Sequence, residues 1–406
     1  MDTLTKKEVL SMPNQSAGYQ IINTQRGLEE LVAHLYKSGT FAFDTEFIPE
    51  ETYEPELCLI QIATHTRLAV IDPRVIPNLS LFWSAVVDPA LRVVVHAASE
   101  DLRICNLQTG KLPPRIFDIQ LAAGLLGPSY PASLSSLVLR YTGQSVLTGE
   151  TRTDWRKRPL SPNQIEYALD DVRHLLFIAE TLDAKLVEMG RQDWFVEASE
   201  NLIKEIAKRD DPSRWKRLSG IHTLNRRSLE IARQLYGWRL ERAIAMNRPV
   251  RQFMRDDLLV GIAKRQPRSR GDLESLRDFN RPNLLKAGGE IMDIIQESLK
   301  VPEAELPTLP DRVEDLSGGS MLLGILTATL AYACFHGKVA QGLVATVGDI
   351  KELVRWHLEG RPETEIPALM ESWKAEVCGK LMLDVIEGRK ALRVTDLSAE
   401  VPVTIE

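Results

Sequence analysis

The run Phe41-Ala42-Phe43-Asp44-Thr45-Glu46-Phe47 constrains the fold more than any other stretch, because it is apolar except for its three polar residues and reads as a largely buried β-strand. Residues two apart in a strand share a face, so Asp44 and Glu46 project together. Two carboxylates held side by side repel, and such a pair is costly unless cations neutralise it. All-oxygen ligation suits hard divalent ions such as Mg²⁺ or Mn²⁺. The chain supplies further candidate ligands in two other segments.

Leu91 to His96 reads as a buried strand of Val and Leu, and Asp101 follows near the start of a helix running through Leu102 and Leu107. That position fits a third ligand. In Ser161-Pro162-Asn163-Gln164, Ser161 can cap a helix, Pro162 takes its first position and Gln164 completes a capping box. Tyr167 and Asp171 lie four apart within this helix, so they stack on one face and can reach a common point. Each piece has a plainer reading alone: an exposed strand face, a surface acid, a tyrosine packed on the core. Taken jointly, in this order, they predict one acidic site beside a phenol. Asp118, in Phe117-Asp118-Ile119-Gln120, reads instead as a helix cap.

These segments resemble the motifs of the DEDD superfamily of 3′→5′ exonucleases, in the branch whose third motif is Tyr-x-x-x-Asp, here Tyr167 to Asp171. Within that branch the chain is similar to ribonuclease D, through Thr153-Asp154-Trp155-Arg156-Lys157-Arg158-Pro159-Leu160-Ser161 and Leu59-Ile60-Gln61-Ile62; the similarity spans roughly residues 20 to 300. The resemblance implies an α/β ribonuclease-H-like exonuclease domain with a mixed sheet. It also implies that Asp44, Glu46, Asp101 and Asp171 hold two divalent metal ions, Mg²⁺ or Mn²⁺, and that Tyr167 orients or helps deprotonate the attacking water. A tyrosine with pKa near ~10 is a poor base at neutral pH, which favours orientation. Asp170 and Glu100 are not the implied ligands. The implied activity is a 3′→5′ exoribonuclease that trims structured RNA such as tRNA precursors and releases 5′-mononucleotides. A DNA exonuclease and a non-catalytic nucleic-acid-binding scaffold are the alternatives, and the chain has no G-x-x-x-x-G-K-[ST] phosphate loop.

The rest of the chain predicts three parts: an exonuclease domain over residues 1–206, a helical domain over 213–300 and a C-terminal helical domain over 311–406. Charged Ala207 to Pro212 and proline-bearing Val301 to Arg312 read as the linkers. The net charge of −6 is no sign of nucleic-acid binding, but its distribution is: Ser213 to Lys300 carries nineteen Lys plus Arg against ten Asp plus Glu. This basic segment resembles the HRDC module, and the C-terminal part is a candidate for a second such bundle. Trp215, Tyr236 and Trp238 could stack on nucleic acid or fill the module's core. Leu316 to Gly337 lacks Asp, Glu, Lys and Arg, but Ser317, Ser320, Thr327, Thr329 and His336 interrupt or bound it, so a buried bundle helix is expected rather than a membrane span. Four scattered cysteines without CxxC spacing argue against structural zinc and fit a reducing compartment. With no secretory run at the N-terminus, the expectation is a cytoplasmic protein, monomeric, with RNA as its partner and no membrane association.

Overall fold

A computed structural model describes residues 18–147, 149, 153–208, 211–309 and 318–406; residues 209–210 and 310–312 of the two expected linkers, and N-terminal residues 1–17, lie outside the described residues. By its internal contacts the chain forms two compact units, one of Met1–Thr45, Leu59–Ile203 and Asp311–Glu406, the other of Glu46–Cys58 and Lys204–Pro310.

The first unit is built on a sheet of β1 (Tyr19–Ile22), β2 (Thr40–Ile48), β3 (Glu56–Ala63), β4 (Leu68–Ile71), β5 (Arg92–Val95) and β6 (Ile116–Asp118), in the order β1-β4-β3-β2-β5-β6. β1 and β4, β2 and β5, and β5 and β6 pair in parallel, whereas β3 and β4 are antiparallel, so the sheet is mixed. Helix α1 (Gln25–Ser38) shows why the local sequence obeys: Thr24 caps its first turn by accepting from Gly27 N–H, and Gly39 ends it in the left-handed region at φ 68°. Its buried Leu28, Leu31, Val32 and Leu35 form one apolar stripe. The helices α2 (Ser80–Val86), α3 (Ser99–Thr109), α4 (Ile119–Leu125), α5 (Leu134–Thr142), α6 (Pro162–Arg173), α7 (Leu175–Glu188) and α8 (Gln192–Ala207) follow.

Two anchors fix the helix that bears the third motif. The Ser161/Gln164 capping box forms as the sequence predicts, and Gln164 Nε2 also donates to Thr153 Oγ1 at 3.2 Å. Just upstream, Arg158 grips Asp72 at the end of β4 with two hydrogen bonds, at 2.5 and 2.8 Å.

The second unit packs α9 (Arg226–Ala245), α10 (Val250–Phe253), α11 (Asp256–Arg265), α12 (Arg270–Glu274) and α13 (Pro282–Lys300) around Leu229, Leu235, Leu259, Phe279, Leu284 and Ile291. Trp215 is buried in this core, and Tyr236 and Trp238 pack against it, so all three aromatics have structural work.

Residues 318–406 return to the first unit. Helix α14 (Gly319–His336) is long and apolar enough to cross a membrane by length and composition, yet only one face is buried. That face places Leu326, Leu330, Ala333 and Cys334 in one cluster with Phe117, Leu125, Leu182 and Phe195 of the α/β part. The opposite side leaves Met321 74% exposed, with Ile325 and Phe335 also accessible. The helix therefore completes the core of the α/β unit.

Arg191 ties these pieces together. Buried to 8% exposure, its guanidinium donates to Leu125 O at 2.5 Å, to Lys338 O at 2.8 Å and to Gly337 O at 2.5 Å. An Arg191→Ala variant would strand three backbone carbonyls, and denaturant unfolding should show a loss of about 2–4 kcal/mol; a loss below about 0.5 kcal/mol would contradict this role.

Candidate metal centre

Strand β2 alternates as its sequence demands: Phe41, Phe43 and Thr45 are buried on one side, and Asp44 and Glu46 are half-buried on the other. Asp171, on α6, comes to the same place. Carboxylate oxygens of Asp44, Glu46 and Asp171 all lie within 4.8 Å of one another, a spacing and donor set that fit a hard divalent cation.

Asp101 sits beside this trio and is not a member of it. It lies in the first turn of α3, directly after β5, and is 6% exposed. Its carboxylate accepts the Thr45 hydroxyl and the Thr45 backbone N–H. Its charge nevertheless reaches Asp171. Tyr167 lies one turn before Asp171 on α6, half-buried, with its ring 6.1 Å from that of buried Trp155.

The electrostatics follow from crowding acids in a partly dry site. Burial, opposed by the Thr45 hydrogen bonds, pushes Asp101 up to about 6. Burial first, then the charges of Asp170 and Asp101, push Asp171 up to about 7. Neighbouring acids are spoken for: Asp170 accepts Leu147 N–H at 3.0 Å and pairs with Arg173, and Glu100 lies within 3.8 Å of Arg103. Asp118 caps α4 by accepting Gln120 and Leu121 N–H, and it also takes Ala97 N–H.

Sequence reasoning passed over three supporting side chains. Thr45 stands in the sequence as a polar interruption between two acids, and its alternation to the buried side turns it to the third acid. Trp155 and Arg158 have no local signal of their own; one backs Tyr167 and the other pins the chain entering α6.

A family model described as 3′-5′ exonuclease matches residues 19–187, and one described as HRDC domain matches residues 228–295. The chain is thus a 3′→5′ exonuclease with an HRDC domain attached. Ribonuclease D of Gluconacetobacter diazotrophicus is 33% identical over 378 residues, covering 92% of this chain and 94% of that protein. Ribonuclease D of Shewanella sp. (strain ANA-3) is 30% identical over 373 residues, covering 90% and 94%. The crystal structure of Escherichia coli RNase D, described as an exoribonuclease involved in structured RNA processing, matches with a TM-score of 0.80 at 27% identity, over 91% of this chain and 99% of that one. The chain belongs to the ribonuclease D family. It is a 3′→5′ exoribonuclease whose substrate is RNA, and its fold together with the acidic cluster points to divalent metal use.

Linkage gives a test. Because the folded-state pKa values of Asp101 and Asp171, about 6 and about 7, stand above the ordinary 3.8, their contribution to metal-free stability is fully present below the ordinary value. It is lost as pH rises through the raised values. A divalent cation relieves that penalty but must displace protons at low pH, so Mg²⁺ should raise Tm more at about pH 8 than at about pH 5. Equal increments would count against a metal held by these acids.

Proposed function

We propose that this enzyme trims the 3′ ends of structured RNAs, tRNA precursors among them, and releases 5′-mononucleotides by hydrolysis at a site of two divalent ions, Mg²⁺ or Mn²⁺. Asp44, Glu46, Asp101 and Asp171 are the proposed holders of the ions and Tyr167 the proposed positioner of water. The observation that carries the reading is the convergence of Asp44, Glu46 and Asp171 oxygens within 4.8 Å from elements more than a hundred residues apart in sequence.

When bound, such ions lower the pKa of water and neutralise charge on the phosphate and the leaving 3′-oxygen. The protein's own part is arrangement. Asp44 and Glu46 are set by strand alternation, Asp171 by a helix capped at Ser161, and Asp101 by the Thr45 hydroxyl. The Tyr167 hydroxyl would orient the water by hydrogen bonding and leave proton removal to solvent or product.

The proposed division of labour assigns chemistry to residues 1–206 and grip on the RNA body to the basic module at 213–300, with 311–406 as a helical support. In the module, several arginines are engaged inside the protein: Arg227 with Ser298 O at 3.0 Å, Arg233 with Glu230 and Arg239 with Asp256. Phosphate contact falls to the remaining exposed ones. A soluble cytoplasmic monomer is the form in which we expect the enzyme to work.

Incubation with a 3′-extended tRNA, with and without chelator, tests metal need, polarity and substrate together. Asp44→Asn should lower kcat by roughly a thousandfold or more and leave RNA affinity within about twofold. Unchanged turnover in that variant would reject the assignment, and a clear preference for matched DNA would reject RNA trimming.

A further inference from the structure

The turn between β2 and β3, residues 49–55, is gripped from both limbs by one short segment of the helical unit to which it belongs. Asn247 Oδ1 accepts the backbone N–H of Tyr53 at 2.9 Å and of Glu54 at 3.4 Å. Gln252 Nε2 donates to Glu50 O on the other limb, and Arg281 in turn donates to Gln252 O at 2.9 Å. Asn247 holds a left-handed backbone at φ 44°, a conformation that asparagine tolerates better than most residues. The limb that Gln252 grips is the direct continuation of the strand bearing Glu46.

Between these two gripping residues lie Arg248 and Arg251, both exposed, and neither forms an ion pair among the described residues. They differ in this from Arg233, Arg239, Arg242 and Arg255 nearby, which pair with Glu230, Asp256, Glu290 and Asp257. Within six residues, then, two side chains that seize the turn flank two unspent guanidiniums, the group best suited to phosphate oxygens.

We propose that Asn247–Gln252 is a register element: Arg248 and Arg251 bind backbone phosphates of structured RNA upstream of its 3′ end, while Asn247 and Gln252 lock that contact to the strand carrying Glu46. Asn247 is a positioning residue that touches no RNA. The inference rests on the reading that the helical module grips the RNA body. It extends that reading by naming the contact and the device that sets the distance from contact to cleavage. A dinucleotide is too short to use the element, whereas a 3′-extended folded RNA engages it.

The test compares KM and kcat on a dinucleotide and on a 3′-extended tRNA, each over a range of salt. Arg248→Gln/Arg251→Gln should raise KM for the folded RNA by roughly tenfold and flatten the salt dependence of log kcat/KM by a slope of about 1 to 2. Asn247→Gly keeps the left-handed backbone and removes the acceptor; it should lower kcat/KM on the folded RNA by roughly tenfold while the salt slope stays as in wild type. Asn247→Asp, which can accept the same two N–H groups, should restore the wild-type value. Dinucleotide turnover should separate from folded-RNA turnover in every defective variant. Equal losses on both substrates, or wild-type constants throughout, overturn the register element. Should wild-type enzyme itself show the same KM and salt slope for both RNAs, the reading that the module grips the RNA body fails, and the register element falls with it.

Discussion

Repulsion among carboxylates is the constraint around which the rest is organised. Asp44 and Glu46 share one face of β2, Asp171 faces them from α6, and Asp101 adds charge from the start of α3. Without a cation the cluster opposes folding, since burial holds Asp101 and Asp171 protonated well above the usual carboxylate range, with the charges of Asp170 and Asp101 adding to it at Asp171. The surrounding structure is what makes the cluster tolerable: a strand with an aromatic underside at Phe41 and Phe43, a helix capped at Ser161, and an Arg158–Asp72 grip that fixes the chain just before that helix.

Much of this was legible because it rests on short-range geometry. Two-residue alternation put Asp44 and Glu46 on one face, four-residue spacing put Tyr167 and Asp171 on another, and the Ser161-x-x-Gln164 pattern set the helix start. The exonuclease fold with its mixed sheet and following HRDC module was likewise within reach, through motif order and resemblance. What could not be read were contacts between residues remote in sequence. Thr45 meeting Asp101 requires knowing which strand lies beside which, and Arg191 reaching Gly337 and Lys338 requires knowing where the C-terminal helices return. Neither has a local signature.

Charge was the least faithful guide. An excess of nine positive charges over Ser213 to Lys300 marks the module as basic, yet several of its arginines are engaged in pairing acids and capping carbonyls within the bundle. The aromatics that could have stacked on bases instead fill or flank its core. The basic module is thus first a small helical domain held partly by its own guanidiniums.

The most direct test is crystallographic: grow crystals in Mn²⁺ and collect anomalous scattering data. Four acids that jointly hold two ions predict two manganese peaks, bounded by Asp44, Glu46, Asp101 and Asp171. Absence of any peak at these carboxylates in active enzyme, or manganese bound elsewhere, would contradict the account.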